Sequence, residues 1–105
     1  MTLALGVLAS GNGSNLQAIL EAIQSKHLDA VVKVVLSDQP TAKALQRARN
    51  SQIPHFCILR KDYPDPKSFE SVLLQILRQH QVDWVVLAGF MRVLSPFFVQ
   101  AYSQR

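Results

Sequence analysis

The sequence predicts an α/β fold built on a parallel sheet, and two observations carry that expectation. Four short apolar runs alternate with segments whose apolar residues recur at three- and four-residue spacing. Between the first run and the first helical segment lies LASGNGSNLQA, residues 8–18, a turn rich in glycine, serine and asparagine. With right-handed crossovers the strand order is 3-2-1-4, so the chain reverses direction across the sheet after its third strand.

The first run, Leu3 to Leu8, is almost wholly apolar, as suits a strand covered on both faces. Leu16, Ile19, Leu20 and Ile23 then fall on one side of a helix. Ala30 to Leu36 contains VVKVVL, whose β-branched residues favour a second strand. A loop of Ser37, Asp38, Gln39 and Pro40 leads to a short helix over Thr41–Asn50, whose apolar side is thin: Ala44, Leu45 and Ala48. The third strand is expected over His55–Leu59, followed by a loop at RKDYPDPK with its two prolines and two aspartates. Phe69, Val72, Leu73, Ile76 and Leu77 mark one face of the third helix. Val82 to Gly89 reads as the fourth strand. Beyond FMRVL, Ser95 and Pro96 form an N-cap and first helical position for a last helix carrying Phe97, Phe98, Val99 and Tyr102.

With 105 residues, 49% of them hydrophobic, the chain is expected to form one modest domain over 1–105. It has no twenty-residue apolar run, and its first residues lack the basic, apolar and small-residue zones of an export signal, so a soluble cytoplasmic protein is expected, with no membrane contact. Its single cysteine, Cys57, cannot form an internal disulfide and sits in an apolar segment as a small core residue. The net charge of +4 comes from basic residues spread along the chain without an aromatic-basic cluster. That distribution fits small anionic metabolites and argues against a nucleic-acid partner.

The turn after the first strand is where the sequence becomes chemically specific. A strand-to-helix turn leaves backbone N–H groups at the positive end of the helix dipole, where a phosphate binds. Gly11 and Gly13 can take positive φ and let the backbone approach a ligand, while Ser14 and Asn15 can cap the helix and donate hydrogen bonds. A capped turn without a ligand is the simpler reading. The 3-2-1-4 order favours the ligand site, because it brings the turn and residues 89–94 to opposite sides of one crevice. A dinucleotide site is poorly supported: Gly11 and Gly13 begin G-x-G-x-x-G, Asp38 supplies an acidic residue after the second strand, but Leu16 stands at the third glycine. No P-loop pattern occurs.

SGNGSNLQAI at residues 10–19 and VVLAGFMRVLSPFFV at 85–99 strongly resemble the glycinamide ribonucleotide formyltransferase family, the folate-dependent enzymes of purine biosynthesis. The resemblance is loose between Gln39 and Gln81. It implies a Rossmann-like formyltransferase sheet and formyl transfer from 10-formyltetrahydrofolate, a co-substrate, to glycinamide ribonucleotide, without a metal. By resemblance Gly13, Ser14 and Asn15 bind the substrate phosphate, Gly89 and Met91 face the ribonucleotide, and Met91, Arg92 and Leu94 border the formyl-folate. The plainer readings are that Met91, flexible and apolar, fills a gap in the core and that Leu94 packs if the loop folds inward, whereas Arg92, a charge among apolar neighbours, calls for water or an anion.

The family's catalytic asparagine and histidine belong to an asparagine-any residue-histidine-proline motif, and its aspartate follows later. That motif does not occur in the 105 residues. The expectation is therefore an N-terminal, phosphate-binding part, inactive alone, that self-associates or pairs with a C-terminal half. His27 and His80 are expected to close the first and third helices and His55 to open the third strand, all at the amino-end rim of the sheet. A noncatalytic domain for a phosphorylated metabolite or a protein, and a formyltetrahydrofolate hydrolase, are the other functional readings.

Overall fold

The computed structural model describes residues 2–11 and 13–90. Strands β1 (Leu3–Leu8), β2 (Ala30–Ser37), β3 (His55–Cys57) and β4 (Trp84–Leu87) form one parallel sheet of order β3-β2-β1-β4, as expected. Helices α1 (Ser14–Gln24), α2 (Lys43–Asn50) and α3 (Pro66–Gln79) connect them in sequence.

Two apolar layers cover the sheet. On one face Val7, Ala9, Val32 and Val35 pack against Leu16 of α1 and Ala44 and Ala48 of α2; on the other Leu8, Val34 and Leu36 pack against Phe69, Leu73, Leu74 and Leu77 of α3. Alternation along β1 sends Leu8 to one layer and Val7 to the other. In β2 the alternation breaks, because the register with β1 slips: Leu5 pairs with Val32 and Gly6 with Val34. Lys33 is the extra residue, and the slip is how a lysine is carried between the buried Val32 and Val34. Gly6 marks a close approach, since a Cβ there would lie 2.5 Å from Leu77 Cδ2 and 3.1 Å from both methyls of Val82.

β1 has its expected bounds and β2 runs one residue further, to Ser37, whereas β3 and β4 are shorter than the runs that predict them. β3 stops at Cys57 because its partner β2 ends at Ser37, the residue with which Cys57 pairs. Only one further rung, from Ile58 N–H to Ser37 carbonyl at 2.8 Å, extends the ladder. β4 likewise ends at Leu87, opposite the last residue of β1. Part of the expected RKDYPDPK loop forms a 3₁₀ turn at Arg60–Asp62, and Asp65 caps α3 by accepting the Ser68 N–H at 2.7 Å, with Pro66 at the first helical position. The buried stripe of α3 is rotated from the expected one: Glu70 and Leu74 join Phe69, Leu73 and Leu77, while Val72 and Ile76 are half-buried. α2 starts at Lys43 and not Thr41, since Ala42 is extended. The last helix expected from Ser95 lies outside the described residues.

All three helices end alike. Lys26, Gln52 and Gln81, with φ of 66°, 61° and 58°, follow the C-caps Ser25, Ser51 and His80. The next residue's N–H then reaches back to close each end, His27 to Ala22 at 2.9 Å, Ile53 to Ala48 at 2.9 Å and Val82 to Leu77 at 3.0 Å. These are Schellman closures, which normally place glycine at the left-handed position.

Cys57 is only half-buried, not a core residue as expected, because the short β3 lies at the sheet edge. Burial, and then the carboxyls of Asp38 and Asp62, push its thiol pKa up, which disfavours the reactive thiolate. At the opposite edge β4 presents Trp84 and Leu87, 48% and 55% exposed. No helix among the described residues is long and apolar enough to cross a membrane.

Candidate functional site

The chain leaves β1 into a turn held from three directions. Ala9 N–H donates to Leu36 carbonyl of β2 at 2.9 Å, and Ser10 N–H to Gly89 carbonyl beyond β4 at 3.3 Å. Ser10 Oγ donates to Asp38 Oδ1 at 2.6 Å in a buried contact. From the side of α2, Ala44 N–H approaches Gly11 carbonyl at 3.5 Å. The turn therefore sits at the carboxyl ends of β1, β2 and β4, where an open α/β sheet changes direction and binds its ligands.

Gly13 then caps α1. Its φ is 80°, and its carbonyl accepts the Gln17 N–H at 2.8 Å. A Cβ on Gly13 would lie 2.7 Å from Ala44 Cα and 3.0 Å from Ala44 N, so glycine is required both by conformation and by the closeness of α2. Gly11 differs from the expectation: it does not have positive φ, and a Cβ there would meet nothing within 4 Å. Ser14 and Asn15 also differ: glycine is the N-cap, with no side-chain cap hydrogen bond among the described residues, and both polar residues occupy the exposed first turn of α1. The cause is Gly13, whose left-handed geometry takes the cap position and moves the two polar residues one step into the helix. Their amides lie at the open N-terminal end, where the helix dipole favours an anion, and no acidic residue occupies that first turn.

Gly11, Gly13, Ser14, Asn15, Ala88 and Gly89 line one cleft of about 270 Å³. Gly89 has a φ of 77°, and among the described residues no atom lies within 4 Å of where a Cβ would stand. Thus five residues singled out in the sequence, Gly11, Gly13, Ser14, Asn15 and Gly89, meet at one place, while Met91, Arg92 and Leu94 lie outside the described residues. Arg47 of α2 adds positive charge behind the turn: its Cδ would be 3.0 Å from a Cβ on Gly13, and its guanidinium donates to Gln17 Oε1 at 3.3 Å. A larger cleft of about 450 Å³ between Pro40, Thr41, Leu45, Arg49 and His55 lies toward β3, away from the β1–β4 junction.

The histidines take no part in the smaller cleft. His80 is the C-cap of α3, shares its Nδ1 with Ile76 carbonyl at 2.8 Å and stacks edge-on against Phe56 with centroids 5.6 Å apart. His27 follows α1, with Nδ1 2.9 Å from Ser25 Oγ. His55 opens β3 but does not lie at the amino-end rim expected of it. It pairs with Val35, because β3 joins β2 only along that strand's carboxyl half. Among the described residues no group of three or more His, Cys, Asp or Glu could hold a metal ion.

Sequence reasoning missed Ala44 and Arg47 as walls of the turn and left Asp38 without a partner. The spacing of Ala44 and Ala48, one helical turn apart, was the available signal: small residues on a helix face permit close backbone approach. Asp38 does not serve as a ribose-binding acid of a dinucleotide fold, since it is 3% exposed and its carboxyl is engaged by Ser10.

Known proteins share both sequence and fold. The chain is 38% identical over 97 residues to phosphoribosylglycinamide formyltransferase of Bacillus subtilis, covering 92% of this chain and 50% of that protein. It superposes with a TM-score of 0.93 and 42% identity on the phosphoribosylglycinamide formyltransferase structure from Coxiella burnetii, covering 98% of this chain and 48% of the other. With glycinamide ribonucleotide transformylase 1 from Geobacillus kaustophilus the TM-score is 0.94 at 40% identity, over 99% and 55% of the two chains. The chain spans about half the length of the relatives it matches. A family model described as formyl transferase matches residues 4–105, and this chain belongs to that formyl transferase family.

Proposed function

We propose that this chain is the phosphate-binding, N-terminal part of a phosphoribosylglycinamide formyltransferase. One observation carries the reading: the glycine-serine-asparagine turn and Gly89 line a single cleft at the β1–β4 switch point. Gly13 to Asn15 receive the phosphate of glycinamide ribonucleotide on backbone amides at the start of α1 and on the side-chain amide of Asn15, with Arg47 adding positive charge from behind. Gly89, without a side chain, leaves room for the ribonucleotide to extend along the end of β4. The co-substrate is 10-formyltetrahydrofolate, bordered by Met91, Arg92 and Leu94, and the enzyme works in the cytoplasm.

These residues bind and orient; they do not move the proton that formyl transfer to an amine requires. That work falls to the family's asparagine and histidine motif, which these 105 residues lack. Pairing with a C-terminal half that supplies it is part of the proposal. Calorimetric titration with glycinamide ribonucleotide tests the binding site. Asn15 is exposed in the first turn, so Asn15→Ala should leave the fold intact and weaken binding about fivefold, the worth of one modest hydrogen bond. Equal affinity for wild type and variant would remove Asn15 from the site. Saturable micromolar binding of NAD or NADP would replace the reading with a dinucleotide one.

A further inference from the structure

We infer that Asp38 is a positioning residue for the phosphate turn, acting through Ser10; the inference rests on the anion-site reading of the cleft given above. The Ser10–Asp38 contact, at 2.6 Å, falls in the range of hydroxyl-to-carboxylate hydrogen bonds, and Ser10 and Asp38 are 7% and 3% exposed. Neither residue is among the described ones that line the cleft, so their effect on a ligand passes through the placement of Ser10, which leads into Gly11 of the cleft.

The same short segment sets the other wall of the turn. Asp38 directly follows β2. Ser37 Oγ accepts the Gln39 N–H at 3.1 Å, and Gln39 carbonyl accepts the Ala42 N–H at 3.1 Å, which leads into α2 and to Ala44 against Gly13. Asp38 thus couples the start of the turn to the helix on which the turn rests. A preset turn presents its amides without ordering them at the moment of binding, which strengthens affinity.

Charge separates this role from direct binding. A carboxylate behind a phosphate site repels the anion, so its use there is as a hydrogen-bond acceptor. Asparagine keeps an acceptor oxygen and removes the charge, whereas alanine removes both.

The test compares Asp38→Asn, Asp38→Ala, Ser10→Ala and the double alanine variant of the 105-residue chain. Amide hydrogen exchange is followed without ligand, and affinity for glycinamide ribonucleotide and for inorganic phosphate is measured by calorimetry. In Asp38→Ala and Ser10→Ala, exchange at the hydrogen-bonded amides that hold the turn, those of Ser10, Gln17 and Ala44, should accelerate while Leu73 and Leu77 in α3 stay protected. Each single alanine variant should bind about fivefold to tenfold more weakly, from loss of one buried hydrogen bond. The double variant should lose little more than the worse single one. Asp38→Asn should match or exceed the wild-type affinity, a rescue that a merely structural role for the charged side chain would not give. Wild-type exchange and affinity in Asp38→Ala would overturn the positioning role and leave the site standing. Equal damage from asparagine and alanine would also overturn it. A wild-type chain that binds neither ligand refutes the site reading, and the inference with it.

Discussion

Replacing Gly13 by alanine should be the most damaging single-methyl change in the turn, and three glycines allow its cost to be divided. Gly13 has a φ of 80°, and an added Cβ would lie 2.7 Å from Ala44 Cα, a backbone atom that cannot rotate aside. The left-handed conformation costs an L-residue about 1–2 kcal/mol. Forcing α2 away from the turn adds about 1–3 kcal/mol, the usual range for overpacking. Restriction of the unfolded chain offsets about 0.4–1 kcal/mol. The net loss is about 1–5 kcal/mol with its centre at about 3, a large share of the roughly 5–15 kcal/mol that holds a domain of this size. Gly89 shares the positive φ, at 77°, but no described residue comes within 4 Å of its Cβ position, so Gly89→Ala isolates the conformational cost at about 1 kcal/mol. Gly11 has neither constraint, and Gly11→Ala should be neutral or stabilising by up to about 1 kcal/mol.

Urea unfolding followed by far-UV circular dichroism measures all three. With a slope of about 2 kcal/mol per molar urea, Gly13→Ala should lower the midpoint by about 1–2 M, Gly89→Ala by about 0.5 M and Gly11→Ala not at all. Equal midpoints for Gly13→Ala and Gly89→Ala would show that α2 does not press on the turn. Equal midpoints for Gly13→Ala and Gly11→Ala would refute both constraints on Gly13. Loss of ligand binding in Gly13→Ala is therefore not by itself evidence of a ligand contact, and Asn15→Ala is the cleaner variant for that purpose.

The three Schellman closures predict that Gln52→Gly and Gln81→Gly each stabilise the chain by up to about 1 kcal/mol, since glycine adopts the left-handed position without steric cost; a lower urea midpoint in both would contradict the helix ends described here. At α3, the Ser68 backbone N–H and then the Ser68 side chain hold the Asp65 carboxyl below its ordinary 3.8. A lowered carboxyl pKa stabilises the fold above the ordinary value and loses that effect as pH falls through the lowered one, so the melting difference between wild type and Asp65→Ala should persist at neutral pH and shrink below about 3.8; a difference that grows on acidification would reverse the assigned sign. β4 has β1 on one side and no described strand on the other, with Trp84 and Leu87 exposed, so the isolated chain should self-associate and Leu87→Lys should reduce this in light scattering. A wild-type chain that stays monomeric at every concentration would show that this edge does not recruit a strand.

Local patterns alone determined the element order, because each pattern has a local cause. Apolar runs of β-branched residues and the three-four spacing of Leu16, Ile19, Leu20 and Ile23 report burial by faces, and the alternation of strand and helix leaves the parallel 3-2-1-4 sheet as the natural topology. The turn at residues 10–15 was legible for the same reason: its composition solves a local problem, a backbone that curls and opens a helix. Helix ends were harder to read, since Lys26, Gln52 and Gln81 hold left-handed positions that sequence assigns to glycine or asparagine. Other features depend on partners distant in the chain. β3 and β4 stop where β2 and β1 stop, the slip at Lys33 depends on β1, and His55 sits high on the sheet because β3 pairs only with the end of β2. Asp38 and Ala44 belong to the phosphate turn only because packing brings them to Ser10 and Gly13, and a hydrogen bond or a methyl-sized gap across 28 or more residues leaves no mark in local periodicity.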